Sequence, residues 1–391
     1  MINYLDEAQE LFEYTRDLRR DFHMHPEIGL KEIRTANIVA RELTGMGLKV
    51  KTGVGATGVV ALLEGNTTGK VILLRFDMDA LPIQEETGAE YASINKGVMH
   101  ACGHDGHVAI GLTVAKILNK HCNEFKGTVK LVFQPAEEGL GGAERMIADG
   151  ILVSPQPDAV LALHVWNEKP VGWIGIVPGP VMAAADIFTI KITGKGGHGA
   201  VPNLCRDPIL AGAQVINLLQ GIASRNVPPL KSAVVTVASI RGGEAFNVIP
   251  SEVELKGTIR TFEPEIRDLV IKRFHHIVEN VSSALECESK IEIRLITPAV
   301  INHPDITNRV QQVAGRVLPN DHLDYKSMTM GSEDMAFIMQ QIPGCYFFIG
   351  SANKDKNLDA SHHHPKFDFD ESILPTAVGL MMASTMELLG N

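Results

Sequence analysis

At 391 residues the chain is too long for one typical hydrophobic core and is expected to form two domains, and 45% hydrophobic with 21% charged residues describes an ordinary soluble globular protein. A net charge of −10, from 46 acidic against 36 scattered basic residues, excludes the electrostatic footprint of a nucleic-acid or anionic-membrane partner and leaves a small molecule or peptide. The five cysteines are odd in number and widely spaced and read as reduced thiols; with no signal-peptide core at the N-terminus and no later run of about 18 apolar residues, the expected location is cytoplasmic.

The stretch MINYLDEAQELFEYTRDLRRD is amphipathic and reads as a helix ending near FHMHP, where His23 and His25 are expected to pack and cap locally. From there to about residue 180, apolar strand-like runs alternate with helical ones: VILLRF (71–76), HVAIGLTVAKIL (107–118), VKLVF (129–133) and AVLALHV (159–165). Continuous apolar strands separated by helices predict an α/β fold, a mostly parallel sheet with helices on both faces. Such sheets gather ligands beyond the carboxyl ends of their strands. Asp77 and Asp79 follow VILLRF, Glu137 and Glu138 follow VKLVFQPA, and His164 ends AVLALH.

After the Gly/Pro-rich PVGWIGIVPGP (170–180) the pattern changes. ADIFTIKITG alternates, with Phe188, Ile190 and Ile192 on one face and Thr189, Lys191 and Thr193 on the other. A helix (208–223), a strand (232–240) and a strand with Val253, Leu255 and Ile259 inward follow. Next come a helix striped by Ile266, Leu269, Val270, Ile277, Val278 and Val281, and a last strand (290–296). This β-α-β-β-α-β order is that of the ferredoxin-like split unit and marks 184–297 as a small α+β domain inserted into a larger one made of 1–183 and 298–391. The first pattern then resumes with a helix near 306–317, the strand CYFFIG (345–350) and a closing helix (372–389).

The chemistry concentrates in HACGHDGH (100–107), which places His100, Cys102, His104 and His107 within eight positions. Thiolate and imidazole suit Zn²⁺ and neighbouring divalent ions, and a Cys-x-His pair on a sharp bend can aim both side chains at one centre. In QPAEEGLGG (134–142), one of the adjacent carboxylates Glu137 and Glu138 can bind metal while the other takes a proton from water. The competing reading is a solvated pair opening the helix GGAERMIADG, where acidic residues favour the dipole. SHHHPKFDFDE (361–371) offers one further ligand among His362, His363 and His364. His275 and His276 lie mid-helix, His303 precedes a proline in a turn, and His121 sits beside a helix end.

Taken in order, HACGHDGH, QPAEEGLGGAERMI, LALHVW, GKGGHGAVP, GSEDMAF and HHPKFDFDE resemble the aminoacylase and hippurate hydrolase type of metallo-amidohydrolase, within the superfamily of dimetal aminopeptidases and carboxypeptidases that carry a lid domain. The resemblance covers essentially the whole chain. It implies two divalent ions per subunit, zinc or else manganese, cobalt or nickel, with Cys102 bridging both, His104 and His164 completing one site, and Glu138 and His363 the other. Glu137 would be the general base. The family pattern puts the last ligand two residues before the proline, at His363, and His362 stands where an aliphatic residue is usual. On the lid, His198 is similar to a histidine that polarises the scissile carbonyl, while Asn247 and Arg260 look like contacts to a substrate carboxylate. Arg260 also falls on the polar face of its strand, and its planar fork suits a carboxylate.

The activity this implies is hydrolysis of N-acyl amino acids to a carboxylic acid and a free amino acid, by a homodimer paired through its lids or a higher assembly. A dipeptidase or carboxypeptidase would use the same metal site. A non-enzymatic metal or peptide binder has no need of Glu137. A serine hydrolase is disfavoured, because no G-x-S-x-G elbow is present, and neither H-E-x-x-H nor G-x-x-x-x-G-K-[ST] occurs.

Overall fold

The strand Val71–Asp77 is buried along its whole length, as a run of apolar residues flanked by strands on both sides requires. It pairs in parallel with Thr128–Gln134 on one side and Ala159–Pro170 on the other. Gly344–Ala352 extends the parallel block beyond Ala159–Pro170. On the opposite flank Gly58–Glu64 and Lys49–Val54 add antiparallel strands, and the short Ile174–Gly175 and Leu323–Asp324 finish an eight-stranded sheet. These details come from a computed structural model that describes residues 4–319 and 322–390. The chain is a mixed α/β protein with a large, mostly parallel sheet.

Two compact units are present. One comprises Met1–Val181, Ile301–Met328 and Glu333–Asn391; the other comprises Met182–Val300 with Thr329–Ser332. In the first, the helix His104–Lys120 is buried almost all round and packs with Phe12–Met24, Ile33–Gly45 and Leu374–Leu389, while Gly142–Ala148 packs with Met335–Met339. Glu371–Leu389 is long and apolar enough by composition to cross a membrane, although Glu, Ser and Thr residues interrupt it as an apolar run. Most of this stretch is buried against the sheet-bearing unit, which makes it a core helix.

In the second unit, Ala184–Thr193, Ala233–Arg241, Glu252–Thr261 and Glu288–Thr297 form an antiparallel sheet. Numbered by appearance within the unit, the strands lie in the order 4-1-3-2. The helices Pro208–Gly221 and Pro264–Ala284 complete the β-α-β-β-α-β series. The alternation read from the sequence is the burial pattern: Phe188, Ile190 and Ile192 face a core shared with Val253, Leu255 and Ile259. On the second helix, Ile266, Val270 and Val278 are buried together with Phe274, while Leu269, Ile277 and Val281 are only partly covered.

Candidate active site

The strand ends of the first unit deliver the polar groups. Past Val71–Asp77 the chain reaches Cys102, then Gly103 at φ 89°, then His104 as the first residue of its helix. Gly103 is required twice over: its backbone is left-handed, and a Cβ would stand 2.3 Å from Val165 Cγ2. The bend it makes turns the sulfur and the imidazole to the same centre. Past Thr128–Gln134 come Glu137 and Glu138, which precede the helix start at Gly142, so the helix dipole is not what places them. His164 lies within Ala159–Pro170, and His363, at φ 64°, is anchored by its N–H to Ala101 O at 2.8 Å.

An accounting of ring nitrogens separates the histidines. His104 Nδ1 lies 2.9 Å from Asp79 O and 3.3 Å from Asp79 Oδ1; its buried Nε2 has no hydrogen-bond partner among the described residues. His164 Nδ1 lies 2.5 Å from Val165 O, leaving Nε2 3.5 Å from Cys102 Sγ. In both, one nitrogen is engaged by a carbonyl or carboxylate and the other is left for a ligand, the usual dress of a metal-binding histidine. His107 differs: Nε2 accepts the Val165 N–H at 3.0 Å and Nδ1 donates to Asp77 Oδ1 at 2.5 Å, so neither nitrogen is available. His363 Nε2 lies 3.0 Å from Glu138 Oε1.

These atoms fall into two sets whose members all lie within 4.8 Å of one another, Cys102 with His104 and His164, and Cys102 with Glu138 and His363. The sets share the sulfur. Burial and the nearby Glu138 push the Cys102 thiol up, so a thiolate there calls for positive charge beside it. The orphaned His104 Nε2 and the S, N and O donor chemistry fit a pair of divalent ions. Glu137 forms a further group with His104 and Glu138.

The three other expected residues lie on the second unit. His198 is exposed and pairs with Val248 across a two-stranded ribbon; Gly199 N–H donates to Asn247 O at 2.8 Å, so His198 and Asn247 are neighbours. Arg260 is half-buried on Glu252–Thr261 and donates from Nη1 to Ser332 Oγ at 2.9 Å. Burial lowers its pKa, and Asp186 partly restores it.

Residues 73–387 match the sequence profile of peptidase family M20/M25/M40. The chain belongs to that family. It is 40% identical over 372 residues to an N-acetyl-L-cysteine deacetylase of Bacillus subtilis, covering 95% of this chain and 87% of the relative. A thermostable carboxypeptidase 2 of Saccharolobus solfataricus is 36% identical over 374 residues, 94% of each chain. Among solved structures, Bacillus subtilis YXEP, described as a dinuclear metal-binding peptidase from the M20 family, superposes with a TM-score of 0.86 at 33% identity, covering 97% of this chain and 99% of that one. The protein is a metal-dependent hydrolase of amide bonds, and its donor sets accommodate two metal ions.

Behind the M20 donor sets stands a charged hub that the motifs did not reveal. Arg75, fully buried, donates to Asp77 Oδ2 (2.5 Å), to Glu333 Oε1 (2.8 Å) and Oε2 (3.1 Å), and to Asp334 Oδ1 (3.1 Å). Tyr346 Oη donates to Glu333 and Gln134 Nε2 to Asp334, so the hub is fully paired. The signal was an arginine inside the apolar run VILLRF, which only a buried anion could tolerate. Burial, then Glu333, Glu138 and Asp334, raise the Glu137 carboxyl well above the usual range. Asp334 N–H points at Glu137 Oε1 from 3.4 Å.

Of the three consecutive histidines, His362 Nε2 accepts the Asn167 N–H at 3.1 Å, and His364 Nδ1 accepts the Lys366 N–H at 3.0 Å. His23 is buried between Asp105 (2.8 Å) and Glu85 (3.3 Å), and His25 Nδ1 caps the helix end at Asp21 O, 2.8 Å away. His121 and His303 sit at the ends of helices.

Proposed function

We propose that this M20 enzyme hydrolyses N-acyl amino acids, with Cys102 shared by two ions, His104 and His164 holding one, and Glu138 and His363 the other. The observation that carries the reading is the position of Glu137, a buried carboxyl beside both donor sets with no ion pair of its own among the described residues. When bound, the ions would supply Lewis-acid polarisation and bring the acidity of water toward neutral pH; zinc would suit the donors best, and manganese, cobalt or nickel could substitute. Glu137 takes the proton of the attacking water and passes it to the leaving nitrogen, so that water and amide give a carboxylic acid and a free amine. His198 donates to the carbonyl oxygen as charge builds there, and Asn247 and Arg260 hold the substrate carboxylate.

The second unit is proposed to be a lid through which two chains pair, with His198 completing the partner's site. Support comes from its exposed apolar residues, Leu204, Ile209, Leu210, Leu218 and Phe246, and from the open edge strands Ala233–Arg241 and Glu288–Thr297. Five unpaired cysteines suit a reducing compartment and a cytoplasmic location.

A hydrolysis screen over N-acetyl, N-benzoyl and indole-acetyl amino acids beside simple dipeptides, each with zinc, manganese and cobalt, tests this reading. Faster turnover of the N-acyl compounds is expected. Preference for dipeptides would instead favour the second reading, a peptidase, to which the carboxypeptidase relative lends support.

A further inference from the structure

Cys102 Sγ has a contact that metal holding does not explain: His362 Nδ1 stands 3.7 Å away. The role of that contact is decided at the other side of the ring. His362 Nε2 accepts the backbone N–H of Asn167 at 3.1 Å. A backbone amide can only donate, so Nε2 carries a lone pair and the ring proton belongs on Nδ1, the atom facing the sulfur. Asn167 is itself fixed, since its Nδ2 donates to Ala360 O (2.8 Å) and Asp368 O (2.9 Å) and its Oδ1 accepts from Ser351 Oγ (2.9 Å). Trp166 and Phe367 hold the imidazole, with ring centroids 5.0 and 4.9 Å away. The ring is therefore clamped in the orientation that aims an N–H at sulfur.

We propose that His362 is a positioning residue that donates its Nδ1–H to the Cys102 thiolate, withdrawing charge from the sulfur shared by the two ions. The inference rests on the reading of Cys102 as that shared ligand. A hydrogen bond to an anionic sulfur is charge-assisted, and contacts of this kind tune a metal centre through its ligand. An aliphatic residue in place of His362 cannot supply it. The sulfur of this chain is accordingly a poorer donor to the ions than one with an apolar neighbour, which leaves the ions more electrophilic and weakens the preference for thiophilic metals.

The full-length enzyme loaded with Co²⁺ reports this through its thiolate-to-cobalt charge-transfer band. His362→Leu and His362→Phe remove the donor, the second keeping an aromatic ring, and both are expected to move the band to longer wavelength. His362→Asn, whose side-chain amide reaches the position of Nδ1, should stay near the wild type. An unmoved band in the Leu and Phe variants with both cobalt ions bound would overturn the proposal, whereas no such band in the wild type would remove the shared-sulfur reading itself. A measurement independent of cobalt loading is ¹⁵N NMR of histidine-labelled, zinc-loaded wild type, with His362 identified by the signals missing from His362→Asn. Protonated Nδ1 and bare Nε2 are expected; the opposite tautomer would overturn the assignment.

Discussion

Glu137 and Glu138 are consecutive, yet their surroundings give them different chemistry. Glu138 meets His363 Nε2 at 3.0 Å, and its own N–H is held by Asp79 Oδ2 at 3.0 Å. Glu137 is buried among other carboxyls. Glu137→Gln should keep both ions, measured by elemental analysis, while turnover falls by about 10²–10⁴-fold, the range of a lost general base. Glu138→Gln should lose metal as well as turnover. The reverse pattern would exchange their roles. At this scale the candidate donors Glu138 and His164 stood out because they adjoin apolar runs, and Cys102 and His104 because they flank the glycine that turns them inward, whereas His363 follows no apolar run. Of the Arg75 hub only the cation inside its apolar run was legible, not its distant partners. Its partners Glu333 and Asp334 lie more than 250 positions away, and no local spacing records a pairing of that length.

Buried charge also joins the helices. Arg19 on Phe12–Met24 reaches Asp105 on His104–Lys120 at 2.8 Å and Asp368 at 2.5 Å, with none of its side chain exposed. Truncating one member of such a group leaves the others charged and unpaired, so Arg19→Ala is expected to lower unfolding stability by about 3–5 kcal/mol in a denaturant titration. His23 belongs to the same group. Burial opposes its charge, but Asp105 outweighs that and raises the pKa from 6.5 to about 9. A raised histidine contributes stability in full below its unfolded pKa and loses it as pH climbs through the folded one. The stability difference between wild type and His23→Gln should therefore shrink between pH 6.5 and about 9; a difference that grows over this interval would contradict the assignment. Element type was readable wherever burial imposed a period, as in the alternating strands of the second unit. Lys49–Val54 escaped notice because five of its six residues are exposed or only partly covered, which leaves no apolar run.

For the whole molecule, a two-fold pairing through the lids predicts complementation. His198→Ala and Glu137→Gln, each inactive alone, would on subunit exchange form heterodimers with one site complete, so up to about half of the heterodimer sites should recover activity. No recovery despite demonstrated exchange would mean that His198 serves its own chain or has no catalytic part. The change of pattern after residue 180 was legible, but the inclusion of Thr329–Ser332 in the second unit left no mark in the sequence, and periodicity carries no record of which unit approaches which. The donor sets have a consequence for biosynthesis. Cys102, His104, Glu138 and His164 come from the first half of the chain, and His363 lies near its end, with the whole second unit encoded between them. A ribosome delivers the chain from its N-terminus and domains fold as they emerge. On the proposed ligand set the nascent protein thus carries a cysteine, two histidines and a glutamate, four of the five donors, for the entire time needed to synthesise some two hundred further residues, open to any thiophilic ion or oxidant it meets.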